Sequence, residues 1–395
     1  MNKIKICIVI NNRANYARIK SVIENLKKKK KVDLKIILGA SAILEKFGKL
    51  EKTLSNDKIK IHHKINSIIE GETPLTMAKS TGLAVIEISS IFADLKPDIV
   101  VTIADRFETM ATAVAASYMN IILAHTQGGE ITGSIDESVR HAITKLSHIH
   151  FASSKIAYKN IIQLGEDKKN VFLTGCPSLD LAKKFPKKID DNLLKKYNGV
   201  GKKFNLKEKY IVVMQHPVTT EYGDGFKQIN ETIKAVSKLN FPTIWLWPNV
   251  DAGSDEVSKG LRIYREKNID SKIFFIKNFT AEDYLSVIYN CSCLIGNSSS
   301  AIREGGFLGV PAVNIGTRQT GREVGKNIIN VDYDEKKILK AIDKQLRRNR
   351  KFASSKIYGD GNAGKYIASI LSNLNIKKVS IQKKLSFKKI KWTMF

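Results

Sequence analysis

The chain has 395 residues, 43% hydrophobic and 26% charged, a length that suits two ordinary domains, each with its own core. No run of about eighteen consecutive apolar residues suggests a membrane span. The net charge of +28 does not mark a nucleic-acid binder, because the lysines are spread along the whole chain instead of forming one basic stripe. The first element is a strand, IKICIVI (4–10), which the start MNKIKICIVINN enters with no cleavage-site pattern, so a soluble, cytoplasmic protein is expected. After NNRAN, Tyr16, Ile19, Ile23 and Leu26 recur at helical spacing and predict one amphipathic helix, with the lysines at 27–31 at the negative end of its dipole. Short β-branched runs then alternate with helix-like stretches: LKIIL (34–38), DIVVTIA (98–104), IILAH (121–125), HIHFA (148–152) and VFLTG (171–175). A polar, lysine-rich stretch from Lys183 to Lys209 precedes a second series: YIVVMQ (210–215), TIWLW (243–247), KIFFI (272–276), CLIGN (293–297), AVNIG (312–316) and NIINV (327–331).

This alternation predicts βα units and parallel sheets in two similar halves. The expected division is a first domain at 1–182, a second at 183–360, a last helix at 361–375 and a basic tail at 376–395. The tail interleaves apolar residues with its lysines and is expected to be a mobile or packed extension, not a membrane-surface segment. Cys7, Cys176, Cys291 and Cys293 stand among apolar neighbours without a CxxC or Cys/His pattern. They are expected to be reduced core residues, and no metal site is expected.

In such sheets ligands lie beyond the carboxyl ends of the strands, and the polar motifs fall there. They are NNRANY, ADRFE, HTQGGEITGSIDESVRH, QHPVTTE, PNVDAGS and GNSSSAIRE, and they predict one cleft between the halves. A strand that ends in Gly-Asn-Ser-Ser-Ser and passes into a helix offers amides, hydroxyls and a positive dipole end to an anion. Neither GxGxxG nor GxxxxGK[ST] is present, so dinucleotide and P-loop readings lose support. Arg13 directly follows the first strand and suits a charge-assisted contact to a diphosphate, or a plain surface position. Asp105 and Arg106 stand at a strand end, as a cleft carboxylate with its neighbour or as a helix-start pair. Ser134 and Glu137 have the spacing of a capping box, which starts a helix near Ile135 and puts Asp136 and Arg140 on one face. Glu130 lies among Gly128, Gly129 and Gly133, where the backbone can approach a ligand closely. His216, held extended by the following proline, stands at the mouth of the second half. His148 and His150 alternate with apolar residues and read as structural.

Together these motifs resemble one family, the hydrolysing UDP-N-acetylglucosamine 2-epimerases of sialic acid biosynthesis, including the epimerase half of the bifunctional animal epimerase/kinase. The likeness also runs through LTGCPSLD, NIGTRQTGRE and SSKIYGDGNA and reaches about Leu374, with no kinase segment after it. The resemblance implies an α/β fold of the GT-B type: two Rossmann-like domains with parallel sheets facing across a cleft, and a last helix that crosses back to the first. It implies a UDP-sugar as substrate, a homodimer or homotetramer, and neither a cofactor nor a metal. UDP would leave to give a 2-acetamidoglucal, and water and a proton would then add to give N-acetylmannosamine. Asp105, Glu130 and Asp136 match the acidic positions of the motifs as acid/base residues, and His216 would donate toward the diphosphate or a moving proton. Arg13, Asn249, Ser298 and Ser299 would hold the UDP, and Glu304 would accept from ribose hydroxyls. Arg106, Arg140, Arg318 and Arg322 belong in or near the cleft. Two positions depart from the pattern: Ala17 stands where the animal enzyme has serine, and Gln127 where relatives have an acid or histidine. The nearest rival is a hydrolysing 2-epimerase of UDP-N,N'-diacetylbacillosamine in legionaminic acid synthesis, which the diphosphate motifs do not separate. The rival of another class, a basic nucleic-acid-binding protein, has its charge dispersed and its motif chemistry elsewhere.

Overall fold

The alternating runs become two sheets in the computed structural model, which describes residues 3–45, 50–249, 251–348 and 350–386. The first half supplies β1 (Ile4–Ile10), β2 (Val32–Gly39), β3 (His63–Ile65), β4 (Ile99–Ile103), β5 (Ile122–Thr126), β6 (Ile149–Ala152) and β7 (Val171–Leu173). They lie in the order β3-β2-β1-β4-β5-β6-β7, all parallel. The second half supplies β8 (Val200–Gly201), β9 (Ile211–Met214), β10 (Thr243–Leu246), β11 (Ile273–Ile276), β12 (Cys293–Gly296), β13 (Ala312–Ile315) and β14 (Ile328–Val331). Their order is β14-β13-β12-β9-β10-β11-β8, with β8 antiparallel to β11 and the other pairings parallel. Each apolar run of the sequence forms a strand, and β3 and β8 are additional. The strand order reverses between β1 and β4 in one sheet and between β9 and β12 in the other. Such switch points leave a crevice beyond the strand ends.

Helices cover both faces of each sheet, so the strands read as continuous apolar runs. In β1, Ile6, Ile8 and Ile10 enter one core and Cys7 and Val9 the other, all almost fully buried. The four cysteines are buried and unpaired. The helix Pro74–Leu95 is long and apolar enough to cross a membrane, yet Ile88, Ile91 and Phe92 pack into the core under β1 and β4. The late helix Ala363–Asn373 inserts Ile367, Ala368 and Leu371 into the other core of the first half. Its free N-terminal amides meet the Asp180 carboxylate, which accepts from Ala363 N at 2.9 Å and Gly364 N at 2.7 Å. The tail lies against the first half as far as Ser386; residues 387–395, and Val250 of PNVDAGS, lie outside the described residues.

The segment after β1 differs from the single helix its periodicity suggests. It forms two helices, Arg13–Ala17 and Lys20–Lys27, because the Asn12 side chain caps a short first turn that ends at Arg18. The apolar spacing survives the break, since Tyr16, Ile19, Ile23 and Leu26 are all buried, and the lysines follow the second helix as expected.

Candidate active site

The loops at the two switch points face each other across a cleft of about 620 Å³. The first half contributes Arg13, Asp105, Arg106 and Asp136 to its wall. The second contributes His216, Asn249, Ser298, Ser299, Glu304 and Arg318. Glu130 and Arg140 do not line it. Asn297, fully buried at the end of β12, clamps the loop after β9: its Oδ1 accepts from His216 N at 2.7 Å and its Nδ2 donates to the His216 carbonyl at 2.8 Å. The preceding Gly296 has φ +119°, and a Cβ there would stand 2.2 Å from the Met214 carbonyl, so only glycine lets the strands approach this way. His216 Nδ1 accepts the Asn249 N–H at 3.2 Å, which leaves the proton on Nε2. Burial first, and then Arg318, push its pKa down to about 3, so His216 is a neutral donor. The Asn249 side chain is turned to Asp251.

The serine wall is built differently from the helix N-terminus expected. Ser298 caps a single turn, Ser299–Ile302, and a second short helix, Glu304–Leu308, follows at a break at Arg303. One turn sums few peptide dipoles, so the positive charge here comes mainly from side chains. Ser299 Oγ accepts from Arg18 Nη2 at 3.0 Å and Arg303 Nη1 at 3.2 Å, and Arg13, Arg18, Arg303 and Arg322 all line the cleft. Burial, followed by repulsion from Arg303, lowers the Arg18 pKa to about 10, so an anion entering here relieves mutual repulsion among guanidiniums.

On the facing wall Asp136 and Arg140, which the spacing puts on one face of the helix, take different partners. Arg140 is fully buried, and its Nη2 bonds to Asp105 Oδ2, while its Nη1 donates to the Glu130 carbonyl at 2.6 Å. Asp136 faces the cleft with Arg318 Nη2 at 3.9 Å. Burial and then the neighbouring Asp251 charge raise the Asp136 pKa, against the pull of Arg318 and Arg106. The capping box is absent. Ile135 precedes the helix Asp136–Leu146 without a side-chain cap, and Glu137 accepts from Thr132 N at 2.8 Å, beyond the serine.

Glu130 sits behind the wall, not on it. Its carboxylate pairs with Arg303 and with Arg322 at 3.5 Å, and accepts from Ser153 Oγ at 2.5 Å. Burial pushes its pKa up, but Arg303 and Arg322 outweigh it and hold the group below the usual range. Gln127 is buried nearby with its amide on Cys176 Sγ, while Ala17 lines the cleft. His148 and His150 serve as structural bonds, to Leu123 N and to Glu166.

Three residues were not singled out from the sequence: Arg18, Arg303 and Asp251. Asp251 joins the halves, pairing with Arg106 Nη1 at 2.7 Å and lying 3.7 Å from Arg318 Nη2. Burial raises its pKa, and Arg106, Arg318 and His216 together bring it below normal. Each stands beside a residue that was read, five places after Arg13, next to Glu304 and within PNVDAGS, and that adjacency is the signal available. The halves also meet where Gly133 N donates to the Arg318 carbonyl at 3.2 Å.

The family model of UDP-N-acetylglucosamine 2-epimerase matches residues 24–372. The chain belongs to that family. A Campylobacter jejuni relative described as GDP/UDP-N,N'-diacetylbacillosamine 2-epimerase (hydrolyzing) is 32% identical, over 95% of this chain and 97% of its own. A Legionella pneumophila UDP-N,N'-diacetylbacillosamine 2-epimerase (hydrolyzing) is 30% identical, over 94% and 96%. The UDP-N-acetylglucosamine 2-epimerase of Neisseria meningitidis is 28% identical, over 96% and 98%. Solved structures share the two-domain GT-B fold. The Neisseria meningitidis UDP-GlcNAc 2-epimerase bound to UDP-GlcNAc has a TM-score of 0.72 at 18% identity, over 93% of this chain and 99% of that one. The Methanocaldococcus jannaschii enzyme with UDP-GlcNAc and UDP has a TM-score of 0.74 at 19% identity, over the same shares. In this chain of the 2-epimerase family, the cleft sits where two Rossmann-like sheets turn their switch points toward each other.

Proposed function

We propose that the protein is a hydrolysing 2-epimerase of a UDP-2-acetamido sugar, converting UDP-N-acetylglucosamine and water to N-acetylmannosamine and UDP. The observation that carries this reading is that one cleft is lined both by guanidiniums and serine hydroxyls and by the carboxylates Asp105 and Asp136. Loss of UDP from the hexose breaks the C1–O bond, sends its electron pair to the diphosphate and removes the C2 proton. Arg13, Arg18, Ser298, Ser299 and the Nε2–H of His216 receive the diphosphate charge, and Glu304 accepts from the ribose. Asp136, whose pKa is raised, is the group suited to hold and return a proton. Asp105, fixed by Arg140, stabilises positive charge developing at C1. Water then adds its hydroxyl to C1 of the glycal and a proton enters C2 from the opposite face, so atoms and charge balance. Glu130 acts through Arg303, keeping its guanidinium at the wall. The four unpaired cysteines agree with a reducing, cytoplasmic setting.

A second reading, the same reaction on UDP-N,N'-diacetylbacillosamine, is favoured by the names of the Campylobacter and Legionella relatives. Incubation with each UDP-sugar in deuterated water, followed by NMR, separates the readings. Free UDP and a 2-epimerised sugar carrying deuterium at C2 are expected. Recovery of an epimerised UDP-sugar with the nucleotide still attached would refute hydrolysis.

A further inference from the structure

The proposed reaction leaves the basic tail without a task. Ile376 and Val379 pack against the core that the helix Ala363–Asn373 enters. His148 Nδ1 accepts from Leu123 N, so its Nε2–H donates to the Ile381 carbonyl, at 3.1 Å. Ser386 N donates to the Gly165 carbonyl at 2.9 Å. Between these anchors, Lys383 Nζ donates to the carbonyls of Lys145 at 2.6 Å and Thr144 at 3.3 Å, and meets Glu166 Oε2 at 2.8 Å. Glu166 is itself almost wholly buried and also pairs with Lys145 at 2.6 Å and His150 at 3.1 Å. A surface lysine run would not place its ammonium in so enclosed a network.

Thr144 and Lys145 belong to the last turn of the helix Asp136–Leu146, whose final carbonyls carry the negative end of the dipole; that of Thr144 also accepts from the Ser147 N–H at 3.2 Å. An ammonium there fixes that turn. The same turn reaches the cleft by two short routes. Thr144 Oγ1 donates to the Arg140 carbonyl at 3.0 Å, and the Arg140 guanidinium holds Asp105. Thr144 Oγ1 also lies 3.3 Å from His125 Nδ1, and His125 Nε2 bonds the Ala104 carbonyl at 2.7 Å. Ala104, just before Asp105, sits at φ +64°, a conformation that a non-glycine residue adopts only when its surroundings hold it.

We propose that residues 376–386 form a strap and that Lys383 is a positioning residue: by pinning the end of the helix Asp136–Leu146 it keeps Arg140 and His125 in register with Asp105. Lys383 touches no part of the cleft. The proposal deepens the functional reading and rests on Asp105 taking part in the reaction.

The test compares the full-length protein with Lys383→Met and Lys383→Arg. UDP release by the unmodified protein is measured first; its absence with both UDP-sugars defeats the functional reading and leaves the strap to be judged by hydrogen exchange. Lys383→Met is expected to lower kcat about tenfold, since small misplacements of reacting groups cost that much or more. KM and the UDP dissociation constant should stay within about twofold, because the diphosphate wall is untouched. Amide exchange across residues 140–148 should quicken, and Lys383→Arg should restore both kcat and protection. If Lys383→Met does not accumulate folded, Lys383→Gln is read the same way. Unchanged kcat and unchanged exchange in the methionine variant overturn the strap. So does a loss of kcat matched by an equal loss of UDP-binding protein, which would make Lys383 merely structural.

Discussion

Asp136 and Glu130 come from one short segment, are both largely buried, and are driven in opposite directions by their neighbours. Asp136 lies near Asp251 and is pushed toward its protonated form; Glu130 faces Arg303 and Arg322 and is kept ionised. Asp136→Asn is therefore expected to lower turnover by about 10²–10⁴, the usual worth of a general acid–base group, without lowering the melting temperature. Glu130→Gln should do the reverse first: it leaves two buried guanidiniums short of a counterion, a loss on the order of 3–5 kcal/mol visible as a lower urea midpoint. Equal stability of the two variants would sink the distinction. His216 gives a pH prediction. Its folded pKa is about 3, below the ordinary 6.5, so as pH falls from 6.5 toward 3 the unfolded chain binds a proton that the folded chain does not. Stability present above pH 6.5 is lost in that window, by at most about 1.4 kcal/mol per pH unit for this group. His125, also held near 3, adds to the same slope. His216→Gln should flatten the decline in urea midpoint between pH 6.5 and 5, and an unchanged slope would count against a buried neutral imidazole. Asp105, Asp136 and His216 were legible because each follows a recognisable strand end or helix start. Arg18, Arg303 and Asp251 were not, since an arginine or aspartate that works by pairing across space leaves no periodic trace in the chain.

At the scale of elements, what was legible was what burial imposes on local sequence. Strands covered on both faces must be apolar throughout, so β1, β4, β9 and β12 stood out, and the polar segments after them located the cleft. The three-residue β3 and two-residue β8 are too short to carry such a signal. Helix starts are less legible. The Ser134–Glu137 spacing fits a capping box, yet Glu137 bonds Thr132, and the serine run begins one turn of helix and no more. In the first place Glu137 turns to the Thr132 amide five residues back; in the second Ser298 does cap its turn, and the helix breaks at Arg303, whose guanidinium with that of Arg18 donates to Ser299. The β12 turn shows how tightly element geometry controls the site. Gly296→Ala would place a methyl group 2.2 Å from the Met214 carbonyl in a left-handed conformation, so β12 must separate from β9 or its last peptide must rotate. Backbone strain alone should cost about 1–3 kcal/mol. Either movement carries Asn297 away from His216, and UDP titrated by calorimetry should bind more weakly. Full affinity in this variant would show that the turn does not set the diphosphate site.

The two halves of the molecule are joined by an apolar cluster of Cys176, Leu179, Ile302 and Tyr358 and, across the cleft, by charge: Glu130 to Arg303 and Arg322, Arg106 to Asp251, Lys20 to Glu282 at 2.7 Å, and Arg318 to Asp136. A sequence shows that such a cleft exists but not which charges meet in it, because partners hundreds of residues apart are chosen by the docking of two finished domains. That docking has a chemical consequence. Asp136 belongs to the first half, while Asp251, the like charge that helps raise its pKa, belongs to the second. The proton-holding character of Asp136 therefore depends on the halves being together. Asp251→Asn removes the repulsion while leaving Arg318 and Arg106 near Asp136, so the Asp136 pKa must fall. If Asp136 works as a base, the acid limb of the kcat/KM profile should move to lower pH; at the same time Arg106 loses its cross-cleft partner and UDP should bind more weakly. Measuring kcat/KM from pH 4.5 to 8 in both proteins checks the first consequence, and calorimetry with UDP the second. A limb that stays in place while UDP affinity falls would mean that Asp251 only holds the halves together, and that the acid–base group must be sought elsewhere on the first-half wall.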